Sequence, residues 1–316
     1  MGLFRRGTRR DPPDSPRDPE FGYLSVREAG VLRSQVRQAF AERGLEVTVY
    51  AGVVVDSAGR RFGLGNLAAV CHGDRRGERS WPAVIRDHVG KVLRAVDGPD
   101  PMATLDADQV RARLYPRVVS EDTLPASGTY RYGHVPGPGL REVLALDLPE
   151  AVQMLGRDTV EKFGDPAELR IRAVNNLRSL PVERHGTVRA GRGAGFDVLL
   201  GDSFFTASRV LVLDDVVGRV TGRRLGRDGA LVALPFRHQL AFHVIDGAGV
   251  LPALQSMARF AASGHEDAAG AISPNVFWWR EGRMTSLSEP DGDALRVVVD
   301  GEFQELLERL VWRRDS

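Results

Sequence analysis

The chain has 316 residues, which is enough for one large domain or two ordinary domains that each bury a core. Apolar residues make up 42% of it, so it should fold, and its 43 basic residues nearly balance 42 acidic ones, which argues against a general attraction to nucleic acid or to an anionic membrane. Cys71 is the only cysteine, and this excludes an intramolecular disulfide and a cysteine-based zinc site.

Residues 1–20 contain arginine, aspartate and proline with almost nothing apolar after Phe4, a composition that predicts a disordered tail. No later segment approaches the roughly 18 to 20 consecutive apolar residues of a membrane span. The first residues also lack the apolar core of a signal peptide. We therefore expect a cytoplasmic protein without stable membrane insertion.

The first predicted unit covers residues 21–100 and begins with a helix. Ser25 and Glu28 form an S-x-x-E capping box, and apolar residues then repeat every three or four positions until Gly44 ends the helix. Three short extended segments predict a small antiparallel sheet, at residues 45–50, 52–55 and 61–64.

A second long helix is predicted at residues 80–96, with His88 on its apolar face. We interpret His88 as a packed, neutral histidine, because no second histidine or carboxylate stands beside it at the spacing of metal ligands. The unit is thus expected to be a helix, a sheet and a helix, and the Pro-Gly segment at residues 98–101 is its predicted linker.

The remaining residues, 101–316, are predicted to form a larger domain in which strands and helices alternate without a regular beta-alpha-beta rhythm. Short runs rich in Val, Leu and Phe predict strands at residues 143–148, 196–200, 204–213, 230–236, 240–246, 276–280, 284–287 and 295–299. Helical periodicity predicts helices at residues 165–180, 250–262 and 301–313. This pattern favours an α+β fold: a small N-terminal helix-sheet-helix unit, followed by a larger mixed or antiparallel sheet layered with helices.

The glycine-rich segment at residues 191–195 does not fit a nucleotide-binding loop. In the G-x-G-x-x-G pattern the last glycine would be Phe196, and a strand follows in place of the helix whose N-terminus holds phosphate. The sequence also lacks the P-loop, the nucleophile-elbow and the H-E-x-x-H motifs. We accordingly predict no cofactor and no metal site.

Arg237 and His238 form the most distinctive polar cluster, because they lie between two apolar strands, where a charge needs a partner. Asp202, Ser203 and Ser208 belong to the preceding segments and could meet them. Two alternatives stay open: a buried ion pair that anchors the turn, or a Ser/His/Asp catalytic arrangement.

The run at residues 277–280 includes Trp278 and Arg280, which should face away from Phe277 and Trp279 because side chains alternate along a strand. Tryptophan and arginine are enriched among the residues that dominate protein interfaces, so we predict that Trp278 and Arg280 carry part of a partner contact. The alternative is that the C-terminal helix covers Trp278.

Six short landmarks occur in order along the chain, at residues 61–67, 81–96, 115–120, 144–147, 173–177 and 233–238. In this order they resemble the YtpQ-like bacterial proteins, over most of residues 25–260. The family is a domain of unknown function, so the resemblance implies no catalytic residue. The family pattern expects an Asp after the Arg of the Pro-x-Arg landmark, where this chain has His238.

The sequence therefore predicts a non-catalytic, adaptor-like binding protein with another protein as its partner. Binding residues are expected among Arg237, His238, Asp202, Ser203, Trp278 and Arg280. The alternative is a hydrolase or transferase that uses Asp202, Ser203, Arg237 and His238.

Overall fold

A computed structural model describes residues 15–97, 105–149, 151–189, 194–247, 249–266, 268–291, 294–299 and 301–312. The predicted linker at 98–101 and most of the glycine-rich segment at 191–195 lie outside these residues. The described chain divides into two compact units, the first built from residues up to 97 together with 268–270, and the second from residues 105–266 and 271 onwards.

The first unit begins with helix α1 (Val26–Ala41), whose capping box forms as predicted. The Ser25 hydroxyl accepts a hydrogen bond from the backbone N–H of Glu28 (3.1 Å), and the Glu28 carboxylate accepts one from the N–H of Ser25 (2.9 Å). The buried face of the helix repeats every three or four residues, at Ala29, Leu32, Val36, Ala39 and Phe40.

A three-stranded antiparallel sheet follows, with strands β1 (Val47–Val49), β2 (Val53–Asp56) and β3 (Arg61–Gly63) in that order. Helices α2 (Gly65–Gly73) and α3 (Trp81–Asp97) complete the unit. The Trp81 indole N–H donates to the Cys71 carbonyl at 2.8 Å, which fixes the start of α3 against α2. The predicted helix-sheet-helix order is confirmed.

The end of the predicted disordered tail, at residue 20, is inaccurate. Residues 1–14 lie outside the described chain, but Asp18 is buried and its carboxylate accepts two hydrogen bonds from the Arg33 guanidinium, at 2.8 and 2.9 Å. It also accepts the backbone N–H of Phe21 at 3.0 Å. Asp18 therefore ties the end of the predicted tail to α1, because its carboxylate pairs with an arginine of the helix.

The second unit contains a small antiparallel sheet of strands β4 (Leu114–Ser120), β5 (Leu140–Leu148) and β6 (Ala151–Met154), preceded by helix α4 (Ala107–Arg113). Helices α5 (Arg157–Phe163) and α6 (Pro166–Ser179) follow it. The Asn176 amide of α6 donates to the carbonyls of Arg111 and Leu114, both at 2.8 Å, so α6 is tied to the junction of α4 and β4.

A six-stranded antiparallel sheet forms the centre of the second unit, in the order β12-β11-β9-β10-β8-β7 among the described residues. Its strands are β7 (Arg184–Arg189), β8 (Gly195–Leu200), β9 (Ala230–Ala233), β10 (Gln239–Val244), β11 (Val276–Arg280) and β12 (Arg283–Ser286). Helices α7 (Leu213–Thr221), α8 (Val250–Glu266) and α9 (Gly301–Trp312) and the hairpin β13 (Ser288–Asp291) and β14 (Ala294–Val297) complete the unit.

The centre of the six-stranded sheet is buried on both faces, whereas the edge strand β7 is exposed along its length. Consecutive residues of β9 show the burial directly. Val232 packs into a cluster with residues of α7 and the segment before it, whereas Leu231 and Ala233 pack against α8 and α9. Helices therefore layer a large antiparallel sheet, and the α+β class predicted from the sequence is confirmed.

The strand predicted at residues 204–213 is wrong. This segment forms a 3-10 helix (Ala207–Val212) that leads into α7. Most of its residues are buried, and a short buried run carries no periodicity that distinguishes a strand from a short helix. The buried Ser208 hydroxyl accepts the backbone N–H of Val118 at 2.9 Å, which ties the segment to β4.

Among the helices that the structure describes, none has both the length and the apolar content of a membrane span.

Gly229 allows the chain to enter β9 beside the end of β11. Its φ is +71°, and a Cβ at this position would collide with the carbonyl oxygen of Trp279. We expect Gly229→Ala to lower the free energy of unfolding by more than about 2 kcal/mol, because a left-handed backbone costs a non-glycine residue roughly 1–2 kcal/mol and the sheet must also shift. Equilibrium denaturation of the variant measures this.

Gly222→Ala is the matched control for that measurement. Gly222 ends α7 with a φ of +69°, but no atom lies within 4 Å of a Cβ built there. Gly222→Ala should therefore lower the free energy of unfolding only by the roughly 1–2 kcal/mol that a left-handed backbone costs a non-glycine residue. An equal loss in the two variants would contradict the steric argument.

Candidate functional site

The loop at residues 234–238, between β9 and β10, carries Arg237 and His238. Its backbone is fixed by two hydrogen bonds from the segment that follows β8: the Gly201 N–H donates to the His238 carbonyl, and the Ala207 N–H donates to the Arg237 carbonyl, each at 3.1 Å. Both side chains are half-buried. The fold thus presents a guanidinium and an imidazole from a loop whose backbone is hydrogen-bonded at both residues.

The hydrogen bonds of His238 define its protonation state. Its Nε2 lies 3.0 Å from the Nε of Arg237, which can only donate, so Nε2 accepts. Its Nδ1 lies 3.1 Å from the carbonyl oxygen of Ser203 and therefore carries the proton. His238 is a neutral imidazole, and the rings of Phe204 and Phe236 contact its ring edge to face, with centroids 5.2 and 6.3 Å away.

The Arg237 guanidinium lies over the Phe204 ring, with its Cζ 4.3 Å from the ring centroid. A second arginine, Arg117 of β4, approaches the same ring at 5.9 Å. Within the described part of the chain, neither guanidinium has a carboxylate partner, and the buried Nε of Arg117 has no hydrogen-bond partner. We call Arg117, Phe204, Arg237 and His238 the arginine cluster.

Burial and mutual repulsion shift the titration of this cluster. Burial, followed by the charge of Arg117, lowers the pKa of Arg237 to about 10. Burial also lowers the pKa of Arg117, against which the nearby Tyr130 acts in the opposite direction. The pKa of His238 is lowered by burial first and by Arg237 second. At neutral pH the cluster therefore holds two cationic side chains and a neutral imidazole.

Asp202 and Ser203, predicted to meet His238, are placed differently. The Ser203 hydroxyl accepts the backbone N–H of Phe205 at 3.2 Å, and only the carbonyl of Ser203 bonds to the imidazole. The Asp202 side chain is 97% exposed and lies 3.5 Å from Arg184. The hydroxyl, the imidazole and the carboxylate therefore do not form a Ser/His/Asp arrangement.

The alternative of a buried ion pair at Arg237 is also wrong, because its hydrogen-bond partner is the neutral ring of His238. Its packing partner is Phe204. The Glu183 carboxylate instead accepts the backbone N–H groups of Asp202 (2.7 Å) and Ser203 (3.0 Å). The loop is anchored by main-chain hydrogen bonds, and the arginine charge stays uncompensated by a carboxylate of the described chain.

Trp278 lies in the core. It is 6% exposed, its indole N–H donates to the Asp228 carbonyl at 2.8 Å, and its ring packs against Phe303 of α9 with centroids 5.3 Å apart. The predicted alternation is correct, since Trp278 and Trp279 belong to the clusters on opposite faces of the sheet. The alternative given for Trp278 is therefore confirmed, because α9 of the C-terminal segment covers its ring, and the indole is not available for a partner contact.

Arg280 is the exposed member of this pair. Its Cζ lies 4.5 Å from the centroid of the Trp278 indole, and its guanidinium forms an ion pair with Glu302. The two residues predicted as an interface thus form an internal contact between β11 and α9. Trp278 and Arg280 do not lie in the arginine cluster.

Arg117 and Phe204 are the members of the cluster that the sequence did not single out. Arg117 lies on β4 between Pro116 and Val118, which are both buried. The alternation of side chains along a strand was the signal that could have placed Arg117 on the opposite face from these two residues. The incorrect strand assignment for residues 204–213 concealed Phe204. Only the tertiary fold brings β4, this segment and the loop after β9 together.

Comparisons with protein-family models, with curated proteins and with solved structures found no match. Within the described residues, no group of three histidine, cysteine or acidic side chains is arranged to hold a metal ion. The chemistry open to the arginine cluster is recognition of an oxyanion, for which guanidinium groups supply rigid, charge-assisted hydrogen bonds.

Trp278→Ala tests the assignment of Trp278 to the core. We expect a loss of about 3–5 kcal/mol in the free energy of unfolding, because the variant removes a large ring from a packed cluster. Denaturant titration measures this loss. A change below about 1 kcal/mol would show that the indole is not packed in the core.

His238→Gln tests the protonation state of His238. Because the folded pKa lies below the ordinary value of 6.5, the neutral ring stabilises the fold above pH 6.5, and this stabilisation is lost as the pH falls through the window below 6.5. Glutamine does not titrate, so the free energy of unfolding should fall less steeply between pH 7.5 and 5 in the variant. The same slope in both proteins would contradict the assignment.

Proposed function

We propose that this is a non-catalytic binding protein that recognises an oxyanion, a carboxylate or a phosphate, on a partner protein. The observation that carries the proposal is the pair Arg117 and Arg237, two half-buried guanidinium groups without a carboxylate partner among the described residues. Arg237 and His238 were the central residues of the binding site predicted from the sequence, and Arg117 extends that site.

The energetics of the cluster favour a ligand. Removing a charge from water costs several kcal/mol, and contact with the face of Phe204 offsets only about 0.5–2 kcal/mol of this. Among the residues that the structure describes, moreover, the buried Arg117 Nε–H has no hydrogen-bond partner. An oxyanion would neutralise the charges and accept the free N–H groups in charge-assisted hydrogen bonds.

His238 supports a positioning role in binding. Its Nε2 accepts from the Nε of Arg237, and this contact orients the planar guanidinium over Phe204. Since Nδ1 is also engaged, by the Ser203 carbonyl, neither ring nitrogen is free to remove a proton from a substrate. The hydrolase or transferase alternative has no comparable support, because the Ser203 hydroxyl is used within its own turn.

A protein partner fits the charge distribution better than nucleic acid does. The chain has a formal net charge of +1, so a long-range attraction to a polyanion is weak. The cluster is compact and contains two arginines on one ring, which matches a single anionic group. We therefore propose an acidic or phosphorylated side chain as the group that it binds.

We also propose that the chain is a divergent member of the YtpQ-like bacterial family. The landmarks behind this proposal lie at β3 and α2, in α3, β4, β5 and α6, and in the loop after β9. Two of them, β4 and that loop, supply Arg117 and Arg237. The family has no assigned function, so this membership adds nothing to the assignment of the ligand.

A titration with phosphate and with acetate at constant ionic strength tests the proposal. We expect saturable shifts of the Nε–Hε NMR signals of Arg117 and Arg237. Arg117→Gln and Arg237→Gln should each weaken binding by roughly 10-fold or more, since a hydrogen bond to a charged group contributes about 1.5–3 kcal/mol. A preference for phosphate over acetate would identify a phosphorylated partner, and the reverse would identify a carboxylate.

Arg259→Gln is the matched control, because Arg259 is an exposed arginine of α8. It should bind both anions as the unaltered protein does, and it should retain any partner that the Arg117→Gln/Arg237→Gln double variant loses. Absence of saturation at about 100 mM anion, or equal weakening by the control, would overturn the proposal. Melting temperatures of all variants show that they fold.

A further inference from the structure

A pocket of about 220 Å³ lies in the first unit, between α1, β3, α2 and α3. Its floor is formed by side chains that are at most 3% exposed: Val36, Phe40, Leu64, Leu67 and Val89. The partly exposed side chains of Phe62, His88 and Val92 form its rim. The pocket is thus apolar inside, and the imidazole of His88 is the polar side chain at its mouth.

The size and lining of the pocket define the shape of a ligand. An apolar protein cavity of about 150 Å³ stays dry and binds benzene, so a volume of 220 Å³ accommodates a molecule of one or two rings. The rings of Phe40 and Phe62 line the pocket with centroids 5.5 Å apart and their planes tilted by 45°. Aromatic ligands gain from such walls, because ring pairs prefer tilted or offset contacts.

His88 adds a requirement for one hydrogen-bonding group. Among the described residues its ring has no hydrogen-bond partner, and its neighbour Asp87 pairs with Lys91 at 2.9 Å on the exposed side of α3. Burial lowers the pKa of His88, so at neutral pH the ring has one N–H and one free lone pair. A neutral hydroxyl or N–H at the mouth of the pocket would meet the free nitrogen.

From these three features we propose that the first unit binds a small aromatic molecule of one or two rings with a single neutral hydrogen-bonding group. Phenol and indole are the simplest members of this class. The site is independent of the arginine cluster, since all of its residues belong to the first unit and the cluster belongs to the second. Failure of either proposal leaves the other intact.

Titration of the full chain with phenol, indole and toluene tests this proposal by the methyl NMR signals of Val36, Leu67 and Val89. All three probes should give saturable shifts of these methyl groups. In His88→Leu, the dissociation constant of phenol should rise about fivefold, as expected for the loss of one hydrogen bond, while that of toluene stays within about twofold. The difference between the two probes separates hydrogen bonding from a general change in packing.

Val92→Phe should abolish binding of all three probes, because a larger side chain on the rim fills the mouth of the pocket. Val96→Phe is the matched control: the same substitution on the same helix, at a side chain that is 44% exposed and outside the pocket lining. It should leave binding unchanged. The proposal is overturned if the probes cause no saturable shift at millimolar concentration, or if Val92→Phe binds them as tightly as Val96→Phe does.

Discussion

The second unit depends on the burial of β9 on every side. All four residues of this strand are buried, hydrogen bonds from β10 and β11 satisfy both of its edges, and its two faces contribute to separate apolar clusters. A strand in this position tolerates no unpaired backbone group. The turn at Gly229 precedes β9, and the loop at residues 234–238 follows it. Arg237 and His238 of the arginine cluster lie in this loop. Their positions are therefore set by β9, which is buried and hydrogen-bonded on both edges.

The arginine cluster is attached to two different sheets, which leaves its side chains few ways to move apart. Arg237 lies in the loop that follows β9, and its backbone carbonyl is held by a hydrogen bond. Arg117 lies on β4, in a different sheet, and both guanidinium groups contact the ring of Phe204. Other arginines of the described chain have an acceptor: Asp18 pairs with Arg33, Glu142 pairs with Arg170, and the buried Arg209 donates to the carbonyls of Leu180 and Pro181. Among the described residues, Arg117 and Arg237 have neither a carboxylate nor a carbonyl partner. This difference is the basis of the proposal that the cluster binds an anion.

The two proposed sites rely on different kinds of binding chemistry. In the second unit, affinity would come from charge and planar hydrogen bonding, which make recognition strong but sensitive to salt. In the first, it would come from removing apolar rings from water, with one hydrogen bond to orient them. Neither site requires a nucleophile or a metal ion.

The sequence predicted those features of the fold that depend on interactions between residues close together in the chain. The capping box at Ser25, the helical repeat of α1, the alternation of Trp278 and Trp279 and the α+β order of the elements were all predicted, because each depends on neighbours within a few residues. The tertiary structure decided the rest. It made residues 207–212 helical, covered Trp278 with α9, and turned the Ser203 hydroxyl away from His238. It also placed Arg117 beside Arg237, 120 positions away in the chain. Burial and the pairing of distant charges depend on which surfaces meet after folding, and no short stretch of sequence contains that information.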